Sequence, residues 1–420
     1  MSDRKVVPQR DTLWLSSADA INLFFGIVIH VILTRRLLSD EYGTFILLLD
    51  FFHVCVILVD LGLPTLIGRD GDRLGSKLDL IINKISRIQT LIMLLGCGVF
   101  AYFGVFLFGG WIGPAIFLSF GAGLLVLTYA HRAALRACGE ARLEAIVRIS
   151  DRGIVAILML FWSQDVLQLS IATAVGPFVA CLIAASIYWI KIAPRLNEPI
   201  EPVPATNDMD NWGLIREGIP FLFASAALVI NVRVEKLLLG LFASTNDVAT
   251  YQIAWLGFIA GYGPILSLRA VLLSWFGEVR DDLEKLKHRY KRAFISTIIL
   301  GPIGVCFALL VSPFAFGYLF PDYSELIEKP FLALLIAWLF HAIASPCLAI
   351  IQVSEKPWNY TKILWVGIGI SSVASLYLIP TQDNSVFGAT LAAMVASIFV
   401  FILSFIEGRK VLHSNNNNLN

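Results

Sequence analysis

Twelve apolar stretches, all but a short fifth long enough to cross a lipid bilayer, follow one another along this chain, and no other feature constrains its fold as tightly. A crossing helix needs about 20 consecutive, mostly apolar residues. Such stretches fall near 13–34, 43–67, 86–108, 111–130, 149–163, 167–190, 214–242, 248–276, 293–318, 327–352, 359–380 and 385–406. Inside hydrocarbon every backbone polar group must be paired within its own segment, so each stretch reads as a helix. Composition agrees. Charged residues make up 15% of the chain, against about 25% in soluble domains. The net charge of +1 supplies no field for nucleic acid. The expected fold is therefore an all-α polytopic membrane protein.

The basic residues orient it. Lys and Arg collect on cytoplasmic loops, and an N-terminus inside puts 26 of the 32 on that side and three outside. Arg233, Lys236 and Arg269 remain within the apolar stretches. Both termini are then cytoplasmic. A Pro- and acid-rich connection at 191–213 separates a six-helix bundle at 1–190 from a second at 214–408, with 409–420 as a disordered tail. Six helices per half send both halves into the membrane in the same direction, so a repeat would turn about the membrane normal. A local echo fits this: Asp40-Glu41-Tyr42-Gly43-Thr44-Phe45 matches Asn246-Asp247-Val248-Ala249-Thr250-Tyr251 at an offset of 206 residues.

Polar residues inside the helices are the candidates for function, because a charge at the bilayer centre costs about 2.5–3.5 kcal/mol or more unless it faces a partner or a hydrated cavity. At 100° per residue Asp19, Asn22, Gly26 and His30 share a face of the first helix. Tyr251, Trp255, Tyr262 and Arg269 form a stripe on the eighth, and His341, Ser345 and Gln352 align on the tenth. In the seventh, Asn231 and Glu235 share a face while Arg233 points away. Arg269, Arg233, Lys236, Trp255, Tyr262 and Asn22 are the expected substrate-cavity residues; Asp19, Asp60, Glu235 and His341 are the expected coupling or gating residues. No HExxH, nucleophile elbow or Cys/His metal spacing is present in the sequence. The expectation is a non-enzyme without cofactor or metal, driven by a proton or sodium gradient. Cys55, Cys97, Cys138, Cys181, Cys306 and Cys347 lack CxxC spacing and read as small packing residues.

Several short motifs add a resemblance. Leu37-Leu38-Ser39-Asp40-Glu41-Tyr42-Gly43 follows the first helix, and Asp60-Leu61-Gly62-Leu63 lies in the second. Gly218-Ile219-Pro220-Phe221 opens the seventh, Val234-Glu235-Lys236-Leu237-Leu238-Leu239-Gly240 closes it, and Leu319-Phe320-Pro321-Asp322-Tyr323 and Val386-Phe387-Gly388-Ala389-Thr390 come later. With twelve helices in two sixes, these resemble the Wzx-type O-antigen and exopolysaccharide flippases of the multidrug/oligosaccharidyl-lipid/polysaccharide exporter superfamily. The resemblance implies a MATE-like fold in the bacterial inner membrane. It also implies alternating access that moves undecaprenyl-diphosphate-linked oligosaccharide from the cytoplasmic to the periplasmic leaflet. Its partners would be that lipid-linked oligosaccharide, membrane lipid, and the polysaccharide polymerase and chain-length proteins, with no nucleic acid. Cationic cavity residues, Arg269 first, would meet the diphosphate. Many members carry Asp where Glu235 stands here. The competing readings are a multidrug or cation antiporter of the same superfamily and a non-transporting scaffold of a polysaccharide assembly complex.

Overall fold

A computed structural model describes residues 8–74, 77–162, 165–196, 211–280, 282–354 and 358–414. Most of the 191–213 connection, the stretch 197–210, lies outside them, as do residues 415–420 of the expected tail. Every regular element among the described residues is helical. The order is α1 (Pro8–Arg36), α2 (Ser39–Cys55), α3 (Ile57–Asp60), α4 (Leu63–Leu74), α5 (Lys77–Phe108), α6 (Ile112–Ala137), α7 (Ala141–Phe161), α8 (Val166–Ile187), α9 (Ala193–Leu196), α10 (Asn211–Asn231), α11 (Val234–Phe242), α12 (Thr245–Gly277), α13 (Leu283–Leu319), α14 (Glu328–Val353), α15 (Trp358–Thr381) and α16 (Ser385–Ser414). Because α16 runs to Ser414, residues 409–414 are helical and not part of a tail.

Among the described residues eleven helical spans are long and apolar enough to cross a membrane, the second of them, Ser39–Asp60, made of α2 and α3 together. The twelfth crossing of the sequence pattern is α7, whose 21 residues span about 30 Å. Its first half carries Arg142, Glu144, Arg148, Asp151 and Arg152, so its apolar part begins only at Gly153.

Two crossings are broken, which the apolar pattern does not reveal. The second is interrupted where Leu61 adopts a left-handed conformation (φ 52°) and Gly62 follows at φ 69°. The seventh is interrupted at Val232-Arg233, between α10 and α11. The face calculation that assumed one helix through 231–236 therefore does not apply as made, although Asn231 and Glu235 do line the same cavity. Next to the first break, the Leu61-Gly62 turn presses backbone to backbone on α10 at Gly218-Phe221-Leu222, and a Cβ on either Gly62 or Gly218 would collide with the other segment's carbonyl. Pro220 sits in that same stretch of α10.

The chain divides into two compact units, residues 1–229 and 230–420, and their internal packing repeats. In the first, α6 packs on α8, α7 on α8, α5 on α6, α2 on α6 and α1 on α7; in the second, α14 packs on α16, α15 on α16, α13 on α14, α12 on α14 and α11 on α15. The same five pairings recur in the same order. Helix starts repeat as well. Leu38 N–H donates to Glu41 Oε2 at 3.1 Å ahead of α2, and Ser244 N–H donates to Asp247 Oδ2 at 3.1 Å ahead of α12. These are the same two positions at the 206-residue offset. In both, a carboxylate in the first turn satisfies an orphan donor and complements the helix dipole. Asp165, Asn384 and Asp282 cap α8, α16 and α13 in the opposite sense, each side chain accepting from the backbone N–H three residues later, and the exposed Asp282 carboxyl is held below the usual range by Lys285.

Small residues set the close approaches, as in other membrane bundles. The Trp338 indole of α14 lies against Gly261 of α12 and Gly304 of α13, where side chains would collide with it. The α1–α7 pair is tied by Arg36, whose guanidinium donates to the Met159 and Leu160 carbonyls at 2.6 and 3.0 Å. These are orphan acceptors at the end of α7.

Candidate functional site

The second unit holds a partly open cavity lined by α10–α11, α12, α14 and α16. α12 supplies an aromatic ladder. Tyr251, Trp255, Phe258 and Tyr262 recur at intervals of three to four residues and so share one face. Their successive centroids are 6.1, 4.4 and 5.4 Å apart, with ring planes within 18–23° of parallel. His341 of α14 meets Tyr262 edge-on at 5.4 Å, and its Nε2 lies 3.1 Å from Ser397 Oγ of α16. Trp255, Tyr262, Glu235 and His341 thus converge on one cavity, as the polar stripes led one to expect of each separately. Phe258, which completes the ladder, was not singled out from the sequence, though its spacing from Trp255 and Tyr262 contains the signal. The ladder's faces are largely occupied by one another, and Trp255 and Tyr262 are 8% and 7% exposed. A sugar reaches those faces only if the ladder opens.

Two opposite charges sit side by side at the start of α11, both buried. Ser371 Oγ of α15 donates to Glu235 Oε1 at 2.5 Å. Lys236 Nζ donates to Gln252 Oε1 at 2.5 Å and stands 5.8 Å from the Trp255 ring centroid. Neutral dipoles from Ser371 and Gln252 and the Trp255 π face thus stand around the two charges. Arg233 caps the break and is half-buried.

Arg269 lies further along α12. It is 6% exposed. Nη1 stands 3.4 Å from the Tyr360 hydroxyl, whereas Nε and Nη2 have no hydrogen-bond partner. Guanidinium cannot shed its proton, so burial without acceptors costs about 1–3 kcal/mol per orphaned donor. An anion with paired oxygens satisfies such a fork.

The remaining predicted residues belong to the first unit. Asp60 Oδ2 accepts from Gly62 N–H at 3.2 Å and so belongs to the helix break. Asn22 is half-buried, with a buried Oδ1 that has no partner. Asp19 pairs with Arg148 of α7 at 2.6 Å. This pair is the rim of a charge cluster that the loop-counting of basic residues concealed. Glu144 is fully buried, and accepts from Arg136 Nε and Nη2 at 2.8 and 2.5 Å and from Arg148 Nε and Nη2 at 3.2 and 2.9 Å; Arg132 Nε stands 3.8 Å away. The first unit has its own partly open cavity, lined by α1, α2, α6, α7 and α8, including His30, His53, Asp151 and Arg152. Among the described residues no group of three or more His, Cys, Asp or Glu is arranged to hold a metal.

Comparison with known proteins gives a consistent picture. The family model described as polysaccharide biosynthesis protein matches residues 9–255. A multidrug resistance MATE family transporter of the MOP superfamily in an inward-facing conformation is similar over 97% of this chain and 98% of its own, at 16% identity and TM-score 0.75. An outward-facing structure described in the same words aligns at TM-score 0.64 and 17% identity, covering 98% of this chain and 97% of its own. A MATE structure in the straight conformation gives TM-score 0.68 at 16% identity over 97% and 96%. No curated protein matches the chain. At these identities the likeness is one of fold: twelve helices in the MATE arrangement.

Proposed function

Because the chain belongs to the polysaccharide biosynthesis protein family and has the fold of a membrane transporter, we propose that it flips a polyprenyl-diphosphate-linked oligosaccharide from the cytoplasmic to the periplasmic leaflet of the bacterial inner membrane. The cargo in this reading is an O-antigen or exopolysaccharide repeat unit, and the termini face the cytoplasm. Unaided, such a molecule drags hydroxyls and a diphosphate through hydrocarbon at several kcal/mol per unpaired polar group. A protein that offers polar partners along the way removes that barrier, while the polyprenyl tail stays in lipid.

The observation that carries the reading is Arg269, a buried guanidinium with two free donors. It is a ready partner for a diphosphate, which presents paired oxygens in the bidentate geometry Arg favours. Glu235 and His341 act as coupling groups driven by a proton or sodium gradient. Their burial around one aromatic ladder supports this, since an ionisable group there changes the electrostatics of the whole cavity. The carrier lipid is the partner, and polymerase and chain-length proteins receive the flipped unit. Family and fold both favour transport over catalysis.

Glu235 also favours a second reading. A buried carboxylate among aromatic rings suits an organic cation, as a multidrug antiporter would require. One experiment separates the two. Depletion in the native bacterium should accumulate complete lipid-linked repeat units on the cytoplasmic leaflet. Repeat units reaching the periplasm at the normal rate would overturn the flippase reading, and drug-sensitivity of the depleted strain would then support antiport.

A further inference from the structure

We propose that the Arg132/Arg136/Arg148 cluster of the first unit is a second diphosphate-binding site, with the Asp19 carboxylate as its internal placeholder. This rests on the reading of the chain as a carrier of lipid-linked diphosphates. Three guanidiniums converge on one fully buried carboxylate, Glu144, through contacts of 2.5 to 3.8 Å. Glu144 neutralises one of the three charges and fastens the α6–α7 hairpin. Two positive charges remain. Asp19 offsets one of them, through a single oxygen at 2.6 Å from Arg148 Nη1, and its side chain is 61% exposed.

The two carboxylates are therefore not equivalent. Glu144 is sealed in and held at both oxygens, whereas Asp19 is a rim ligand on another helix, held at one. Exposed pairs of this kind contribute about 0.2–1 kcal/mol, so a dianion arriving at the rim competes on favourable terms. The donors it would meet are in place. Arg136 is 49% exposed. Arg132 is held over the Tyr129 ring at 5.3 Å, and its Nε has no hydrogen-bond partner. Arg148 Nη1 is released when Asp19 leaves, while its Nε and Nη2 stay on Glu144. Arg148 lies about 10 Å along α7 from its first residue, on the side of the unit that the basic loops assign to the cytoplasm. That is the leaflet from which a lipid-linked diphosphate would be collected. The ligand class is a diphosphate ester, and the same donors would accept free diphosphate.

The test uses the full-length protein in phosphatidylcholine nanodiscs with farnesyl diphosphate and inorganic diphosphate as probes. Asp19→Asn should tighten binding, by up to about fivefold if the Asp19–Arg148 pair contributes the upper end of an exposed bridge. Arg132→Gln should weaken it by about tenfold, the worth of a charge-assisted hydrogen bond, without lowering the melting temperature. A purely structural latch predicts the opposite for Asp19→Asn: a lower melting temperature and no gain in affinity. Unchanged or weaker binding on Asp19→Asn, or unchanged binding on Arg132→Gln, overturns the proposal. If Arg269→Gln alone abolishes binding, this second site falls and the flippase reading stands. If both first-unit variants respond as expected while leaflet transfer is normal in depleted cells, the flippase reading falls and the anion site stands. Preference for the farnesyl probe assigns the site to a lipid carrier, and equal affinity for the two assigns it to free diphosphate.

Discussion

Gly62 and Gly218 lie where two backbones press together: a Cβ on Gly62 would meet the Gly218 carbonyl, and a Cβ on Gly218 the Leu61 carbonyl. The two short motifs that contain them, Asp60-Leu61-Gly62-Leu63 and Gly218-Ile219-Pro220-Phe221, are over 150 residues apart and form a single crossing. Gly62 is doubly constrained, because its φ of 69° also disfavours any Cβ. Gly62→Ala and Gly218→Ala should each destabilise the protein by about 1–3 kcal/mol through overpacking. The loss is read as a drop in melting temperature by fluorescence-detected size exclusion in detergent. Leu61→Gly should raise it, by relieving a left-handed leucine.

The paired caps at Glu41 and Asp247 give a test of the internal repeat. Each carboxylate accepts from a backbone N–H three residues earlier at 3.1 Å. Removing either with alanine should lower stability by about 1 kcal/mol. Because the caps lie in different units and share no partner, the double variant should show the sum of the two effects. A marked departure from additivity in thermal melts would count against independent, equivalent roles.

Arg269 predicts a graded series. In the flippase reading, Arg269→Ala should cut leaflet transfer of lipid-linked oligosaccharide by at least about tenfold with normal protein level, because its Nε and Nη2 donors make no hydrogen bond within the protein. Arg269→Lys should fall between, keeping the charge and losing the fork. Transfer measured per unit of protein checks both, and normal transfer in Arg269→Ala removes its assigned role.

Glu144 predicts a stability defect of a different kind. Glu144→Gln leaves Arg132, Arg136 and Arg148 facing one another without the buried carboxylate. Breaking a buried ion cluster from one side costs about 3–5 kcal/mol. The variant should be recovered in low yield and melt early. Truncating the rim partner with Asp19→Ala should barely move the melt, because the pair it removes is exposed.

The crossings were legible in the sequence because hydrocarbon demands apolar length, and among the described residues each of the twelve stretches is helical, two of them across a break. The breaks at Leu61-Gly62 and Val232-Arg233 were not, since each lies inside an apolar run and turns on local backbone geometry. Within the site, helical periodicity put Trp255, Tyr262 and the neighbouring positions on one face, and that face does border a cavity with Glu235 and His341. What periodicity cannot give is which helices face each other. Ser371 beside Glu235, Gln252 beside Lys236 and Ser397 beside His341 were invisible for that reason. The Glu144 cluster was hidden by a sound rule used too coarsely: basic residues flank cytoplasmic ends, but counting them as loop charges says nothing of a carboxylate buried among them.

The recurrence of one packing scheme in two units also fixes an address system. Leu49 and Trp255 line corresponding places in the two cavities at the 206-residue offset, and Leu125 and His341 occupy matching places on α6 and α14. At these two addresses one copy of the frame carries leucines and the other an indole and an imidazole, while His30, His53, Asp151 and Arg152 line the first cavity elsewhere. Side chains can be exchanged between matching addresses without redrawing the backbone, so one scaffold holds two differently written chemistries that can be traded residue by residue.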